Sequence, residues 1–208
     1  MRKSILILIV LAVIWTWIQS PDSTHSEQLQ QALGSSGPAM AGLAIHRQPR
    51  QIELDAVPAL GISDYTLQLR AEFGLVARVL GRQDYRWDRW SDLSPLDLAL
   101  GWGPMSDSEV LSEINIAQGG RFYSWRVQQF PIARELIEQH SANMHIIPSS
   151  PELMKLLRKA KQGDQLRLSG YLVDVDRADG AYWRTSLRRE DTGNGACEIF
   201  LVTSADWL

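Results

Sequence analysis

Apolar positions along this chain fall into three regimes. Ile5 to Ile18 is an almost unbroken apolar run without the polar stripe of a soluble amphipathic helix. Residues 21–50 lose sustained apolar periodicity and hold Gly34-Ser35-Ser36-Gly37-Pro38 at their centre. That is the composition of a flexible linker, with a fragment of helix expected over Gln28 to Leu33. From residue 51 to 208, short periodic segments alternate with turn residues, as expected of one folded domain.

Within that domain, Thr66 to Ala71 alternates with the period of a half-buried strand, and Leu75 to Leu80, between Gly74 and Gly81, predicts another. Ser94-Pro95 supplies an N-cap and a first helical position, predicting a short helix through Leu100 that Gly101-Trp102-Gly103-Pro104 stops. Ser106 and Glu109 form a capping box, predicting a helix from Asp107 to about Ile114. Arg121 to Val127 reads as an aromatic-rich strand, and Pro131 to about Gln139 as a helix. Ser150-Pro151 starts a helix with Leu153, Leu156, Leu157 and Ala160 on its apolar face, and Gly163 ends it. Leu166 and Leu168 alternate in the next strand. After Gly170 the phase moves to Tyr171, Val173 and Val175, which predicts a β-bulge. Tyr182 to Leu187 and Ala196 to Thr203 complete the strands, the latter apolar on both faces except Glu198. The fold class is therefore α+β, with a curved antiparallel sheet or partial β-barrel and short helices.

The flanks of the first run bear on its use. At a helical rise of 1.5 Å it spans about 21 Å, against a hydrocarbon core of about 30 Å. Ile18-Gln19-Ser20 before Pro21 is a poor site for signal peptidase. Trp15 and Trp17 sit where an interfacial aromatic belt would sit, and Arg2 and Lys3 can snorkel at the other end. Residues 1–20 are expected to be an uncleaved signal-anchor crossing the bilayer through residues 5–18, with a cleaved signal peptide as the alternative. The positive-inside rule then leaves residues 51–208 in the periplasm or outside a bacterial cell, as a single-pass protein of the inner membrane.

Composition narrows the function. The net charge is −3, and the part beyond Arg2 and Lys3 carries 19 basic and 24 acidic residues. That acidic balance argues against a nucleic-acid partner. The single cysteine, Cys197, permits no internal disulfide. Eight tryptophans against four phenylalanines suit flat ligands and sugars as well as core packing.

Candidate chemistry is sparse. His140 and His145 lie five positions apart, about 140° around a helix and on opposite faces of a strand, so no shared metal is expected. The expected setting is a loop after a helix, with Asn143 in a turn and His145 bonded to a backbone carbonyl. Cys197 shares a strand face with Ile199 and Leu201 and reads as a buried, inert thiol. Its alternative role is a nucleophile with His145 as base, oriented by Asp191 or Glu198, under the electropositive influence of Arg184, Arg188 and Arg189. Tyr85-Arg86-Trp87-Asp88-Arg89-Trp90 places two tryptophans among arginines, suited to a sugar or a lipid headgroup, or to ordinary packing of one side of a turn. Gly101-Trp102-Gly103-Pro104 reads as a rigid loop presenting Trp102. Trp87, Trp90, Trp102 and Asn143 are thus the candidate binding residues. No pattern implies a cofactor; Gly193 and Gly195 lack the lysine and helix start of a phosphate loop.

Two resemblances add to this reading. The order His145, Gly163-Asp164 and Ile199-Phe200-Leu201-Val202-Thr203 resembles the C-terminal part of a sortase, a membrane-anchored Cys/His/Arg transpeptidase. Ser204 stands at the position of the sortase cysteine and no later arginine follows, so an active sortase is not implied. The segments from Leu93 to Asp107, His140 to Pro148, Gly163 to Val175 and Asp191 to Glu198 are similar to a family of uncharacterised bacterial membrane-anchored proteins. That resemblance implies anchoring and a bacterial source, and no activity. The expected function is a tethered module binding an envelope protein or glycan, with a Cys/His hydrolase or acyl transferase as the alternative.

Overall fold

The computed structural model describes residues 21–33, 38, 41–188 and 197–208. The apolar run from Ile5 to Ile18 and Asp191 lie outside the described residues. Among those described, no helix is long and apolar enough to cross a membrane.

The fold is α+β and dominated by one mixed sheet. In chain order the elements are α1 (Pro21–Leu33), β1 (Arg50–Glu53), β2 (Ala59–Ile62), β3 (Tyr65–Asp84) and β4 (Leu96–Gly101). A 3-10 turn (Gly103–Ser106), α2 (Ser108–Ser112), the hairpin β5 (Ile114–Gly119) and β6 (Phe122–Val127), and α3 (Arg134–Gln139) follow. The chain closes with β7 (Ser141–Pro148), α4 (Pro151–Leu157), β8 (Gln165–Arg177), β9 (Tyr182–Trp183) and β10 (Glu198–Trp207).

Strand pairing closes a ring. β3 pairs with β4, β4 with β7, β7 with β10, β10 with β8, and β8 returns to β3. Every pair in the ring is antiparallel except β7 with β10, which is parallel. The expected antiparallel sheet is therefore mixed. A parallel pair needs a long crossover, and here α4, β8 and β9 supply it. Side chains alternate across each strand, so one set points into the ring. Phe73, Leu75, Leu96, Leu98, Leu100, Met144, Ile146, Leu166, Leu168, Phe200 and Val202 form that core, and Met154 and Leu157 of α4 pack against it. Phe73 and Phe200 meet edge to face at 5.1 Å. α4 begins as expected: Pro151 follows Ser150, whose hydroxyl accepts from the Leu153 N–H at 3.2 Å.

Several expected elements differ. Leu96–Gly101 is a fully buried strand, not a helix. Its apolar residues at alternate positions line the ring, and that period outweighs the local Ser-Pro cap signal. Tyr65–Asp84 is one continuous strand in which neither Gly74 nor Gly81 ends pairing. Asp107, not Ser106, caps α2, accepting from the Glu109 N–H at 2.7 Å. The Ser106 hydroxyl instead donates to the Gly103 carbonyl. There is no phase slip at Gly170. Leu166, Leu168 and Leu172 face the ring, while Val173 and Val175 belong to a second cluster on the outer face. Both faces of β8 are buried, which imitates a slip in sequence. The register shifts fall on the partner strands, between Leu69 and Ala71 and between Val202 and Ser204.

Part of the expected linker is packed on the domain. α1 lays Leu29, fully buried, against Ile62, Tyr65, Leu93 and Ile147. Burying one leucine contributes about 1.5–3 kcal/mol, enough to seat a 13-residue helix without making it part of the barrel. His25 Nδ1 hydrogen-bonds the Asp92 carbonyl at 3.1 Å, and its ring meets Tyr65 edge-on at 5.6 Å. Further along, Gln48 bonds both His140 Nε2 and Trp102 Nε1, each at 2.8 Å.

Candidate functional site

The outer face of β4 and β7 carries a buried polar network under the β5–β6 hairpin. Register sets Asp97 directly opposite His145 and Ala99 opposite Asn143. Leu96, Leu98 and Leu100 point into the ring, so Asp97 and Ala99 must point out, toward the hairpin. Asp97 is completely buried, and Asn143 and His145 are 3% exposed. His145 Nδ1 donates to Asp97 Oδ1 at 3.0 Å, since a carboxylate can only accept. Asn143 Nδ2 donates to Asp97 Oδ2 at 3.3 Å and to the Arg121 carbonyl at 3.2 Å, and Asn143 Oδ1 accepts from Gln118 Nε2 at 2.7 Å.

Arg121 closes the network from the hairpin tip. Gly119 pairs with Phe122, so Gly120 and Arg121 form a two-residue turn. Both have positive φ, 59° and 70°, as a type I′ turn requires. For an arginine this backbone costs about 1–2 kcal/mol. All five guanidinium N–H groups are used in return. Nε and Nη2 grip Asp88 at 3.0 and 2.9 Å; Nη2 also reaches the Ser94 carbonyl at 2.8 Å. Nη1 donates to Asp97 Oδ1 at 2.9 Å and to Ser94 Oγ at 3.3 Å. The guanidinium lies 3.8 Å over the Tyr85 ring, whose hydroxyl accepts the Arg121 backbone N–H at 2.9 Å.

This setting perturbs its acids. Burial alone would raise the Asp88 carboxyl, but hydrogen bonds from Arg121 and from the Trp90 and Ser91 N–H groups hold it below the usual 3.8. Burial, reinforced by the Asp97 charge, pushes the Tyr85 phenol up to about 12. Burial likewise lifts Tyr123 to about 12; its hydroxyl hydrogen-bonds Ser141 Oγ, which donates to the Ile137 carbonyl at 2.6 Å.

Beside the network opens a cleft of about 380 Å³, lined by Trp90, Arg121, Phe122, His145, Tyr182, Trp183, Arg184 and Cys197. Four separate segments build it: the turn after β3, the hairpin tip, β7 through His145, and the β8–β10 connection that carries β9. Trp90 stacks on Trp183 at 5.1 Å and 26°, and Trp183 packs on the His145 ring at 4.5 Å. Tyr182 is 69% exposed, and Arg184 lies 5.1 Å from its ring. Arg184 also pairs with Asp176 and donates to the Val175 carbonyl at 3.0 Å.

The expected candidates are sorted by this geometry. His145 and Cys197 line one cleft, Trp90 is one of its walls, and Asn143 lies beneath it. Ser141–Pro148 is a strand, so Asn143 is not in a turn, and the partner of His145 is the Asp97 carboxylate instead of a backbone carbonyl. Trp102 is not presented by its loop: it is 1% exposed and sits in the barrel core. Trp87 stands apart at 96% exposed. Asp191 lies outside the described residues. Cys197 is half-buried. Among the described residues no group of histidine, cysteine and carboxylate side chains is placed to hold a metal ion.

Sequence reading missed Asp97, Arg121, Tyr182 and Trp183. The alternation of Leu96, Leu98 and Leu100 was the available signal for Asp97, and Gly119-Gly120 between two alternating segments was the signal for Arg121 at a hairpin tip. No family model, curated protein or solved structure matches this chain.

Proposed function

We propose that this chain is a membrane-tethered binding module of the bacterial envelope and that the aromatic cleft takes a neutral, ring-shaped ligand such as a sugar of an envelope glycan. The observation that carries this reading is the position and lining of the cleft. In chain order the ring strands are β3, β4, β7, β8 and β10, five strands with a helix between the third and fourth. That is the plan of an OB-type barrel. Such barrels bind oligonucleotides and oligosaccharides on the face of their second and third strands, between the loops that follow the first and fourth. The cleft lies on that face, between those loops. Fold analogy locates the face; the residues argue the ligand.

Single-stranded nucleic acid needs a positively charged groove beside its stacking rings. Here the rings are present and the two arginines that line the cleft are already committed. Arg121 has no donor left, and Arg184 is held by Asp176 and two backbone carbonyls. A neutral pyranose stacked on indole faces fits that inventory. Titration of the intrinsic tryptophan fluorescence with neutral oligomers of N-acetylglucosamine tests it. Saturable quenching is expected, unchanged by salt and lost in Trp183→Ala. Tighter binding to a single-stranded oligonucleotide, or no saturable response to any glycan, would reject the proposal.

A thiol hydrolase or acyl transferase is the second reading, favoured by His145 and Cys197 lining one cleft with Asp97 orienting the imidazole. The competing fact is that Asp97 Oδ1 accepts from Arg121 as well. The carboxylate that would stabilise an imidazolium is already neutralised. Rapid alkylation of Cys197 that slows in His145→Ala would favour the enzyme; an inert thiol removes it.

A further inference from the structure

We infer that the turn carrying Trp87 seats on the surface of an anionic lipid bilayer, so that the aromatic cleft beside it opens at the membrane. This rests on the reading of residues 5–18 as a membrane anchor.

The first observation is Trp87 itself, 96% exposed in a chain whose Trp102 is wholly buried. A tryptophan left in water at the apex of a loop is at home in the interfacial layer of a bilayer, where its ring sits among headgroups. The turn is built to hold it there. Asp88 is gripped by Arg121, its carboxylate accepts the Trp90 N–H at 2.9 Å, and its carbonyl accepts the Ser91 hydroxyl at 3.0 Å. Arg177 Nη1 donates to the Arg89 carbonyl at 3.0 Å, and the Tyr85 N–H donates to the Pro95 carbonyl at 2.8 Å. Trp87 is therefore presented on a braced turn, with no ordering left to do on contact.

Charge complements the ring. Arg86 and Arg89 flank Trp87, both exposed, and neither makes an ion pair among the described residues. Asp88 between them is already paired to Arg121. The turn is thus locally cationic on a chain of net charge −3, the complement of lipid phosphates.

The third observation is where the chain enters the domain. α1 starts at Pro21, three residues after Ile18 closes the apolar run. His25, four residues into that helix, hydrogen-bonds the carbonyl of Asp92, in the same connection that carries Trp87. Four residues of helix rise about 6 Å. An anchor over residues 5–18 would bring this connection toward the headgroups. Phe122 and Tyr182 line the cleft and are 49% and 69% exposed.

The test uses the full chain in vesicles of phosphatidylethanolamine and phosphatidylglycerol, three to one. A nitroxide label is placed by Trp87→Cys in a Cys197→Ser background. The control is Glu113→Cys, at the far end of the β5–β6 hairpin and about 20 Å from its tip at the strand rise. Collisions with oxygen, relative to a water-soluble nickel complex, should be at least threefold more frequent at position 87 than at 113. In the native chain, quenching by brominated lipid should fall when Trp87 is changed to Ser. Equal, aqueous readings at both positions in a chain that floats with the vesicles would overturn the inference and leave the anchor standing. A chain that does not float removes both.

Discussion

Replacing Arg121 with glycine separates two accounts of the hairpin tip by the sign of the effect. Considered as a turn alone, Arg121→Gly should stabilise. It relieves about 1–2 kcal/mol of left-handed backbone cost, offset by about 0.5–1 kcal/mol for the extra freedom of glycine in the unfolded chain. Considered as the keystone of the polar network, the same change removes the cation from a fully buried carboxylate. Breaking a buried pair from one side costs about 3–5 kcal/mol. Asp97 keeps the hydrogen bonds from His145 and Asn143, which places the loss near the lower end. Asp88 is about a third exposed, so its share adds at most about 1 kcal/mol. The expected net effect is destabilisation of about 2–4 kcal/mol. Urea unfolding of the chain, followed by the near-ultraviolet signal of the Trp90–Trp183 stack, measures it. In an Asp97→Asn background the same substitution should cost less than half as much, because no buried charge is then orphaned. An unchanged or raised unfolding midpoint for Arg121→Gly would refute the keystone argument.

Three further outcomes follow from the same geometry. Leu29→Ala should cost about 2–5 kcal/mol at the α1 contact, read as faster amide exchange over residues 21–33 with the barrel strands still protected. Gly170→Ala should abolish folding at 37 °C, because a methyl group there meets the Leu201 carbonyl and the Thr203 N–H across a closed strand pair; normal circular dichroism for that variant would contradict the packing. Stability should decline at both ends of the pH range. The Asp88 contribution is complete above the ordinary 3.8 and is lost as pH falls through its lower folded value. Tyr85, protonated up to about 12 in the fold against 10.0 when unfolded, withdraws support as pH rises between those values. Tyr85→Phe should flatten the alkaline limb, and a limb that stays as steep would assign it elsewhere.

What was legible in the sequence had local physical causes. Ser150-Pro151 announces α4 because a cap and a fixed φ act on their own residues. The turn at Gly180 and the end of α4 before Gly163 are similar, with φ of 83° and 97°. What was misread depended on partners distant in the chain. Ser94-Pro95 carries the same start signal as Ser150-Pro151, yet Leu96–Gly101 is a strand because β3 on one side and β7 on the other pair with it. β8 reads as out of phase because both of its faces are covered. The site was harder still. His145, Cys197, Trp90 and Asn143 were visible as residue types, but the Asp97–His145 pair spans 48 positions and is created by register alone. Arg121 looked like the start of a strand. Its role came from a turn conformation that arginine seldom adopts, so composition could not show it.

β3 gives this barrel an uneven assembly schedule. One of its edges is filled by neighbours in sequence: β2 along Tyr65 to Gln68, β1 along Ala71 to Gly74, and β4 along Arg78 to Asp84. The other edge waits for β8, whose partners run from Gln165 to Arg177. A chain synthesised from its N-terminus holds that long edge open until most of the domain has been made. Distant strand pairing is slow, and an open edge is the template on which chains aggregate. The growing protein should therefore depend on a holding chaperone more than its modest size suggests, and its misfolded products should be joined through residues 65 to 78.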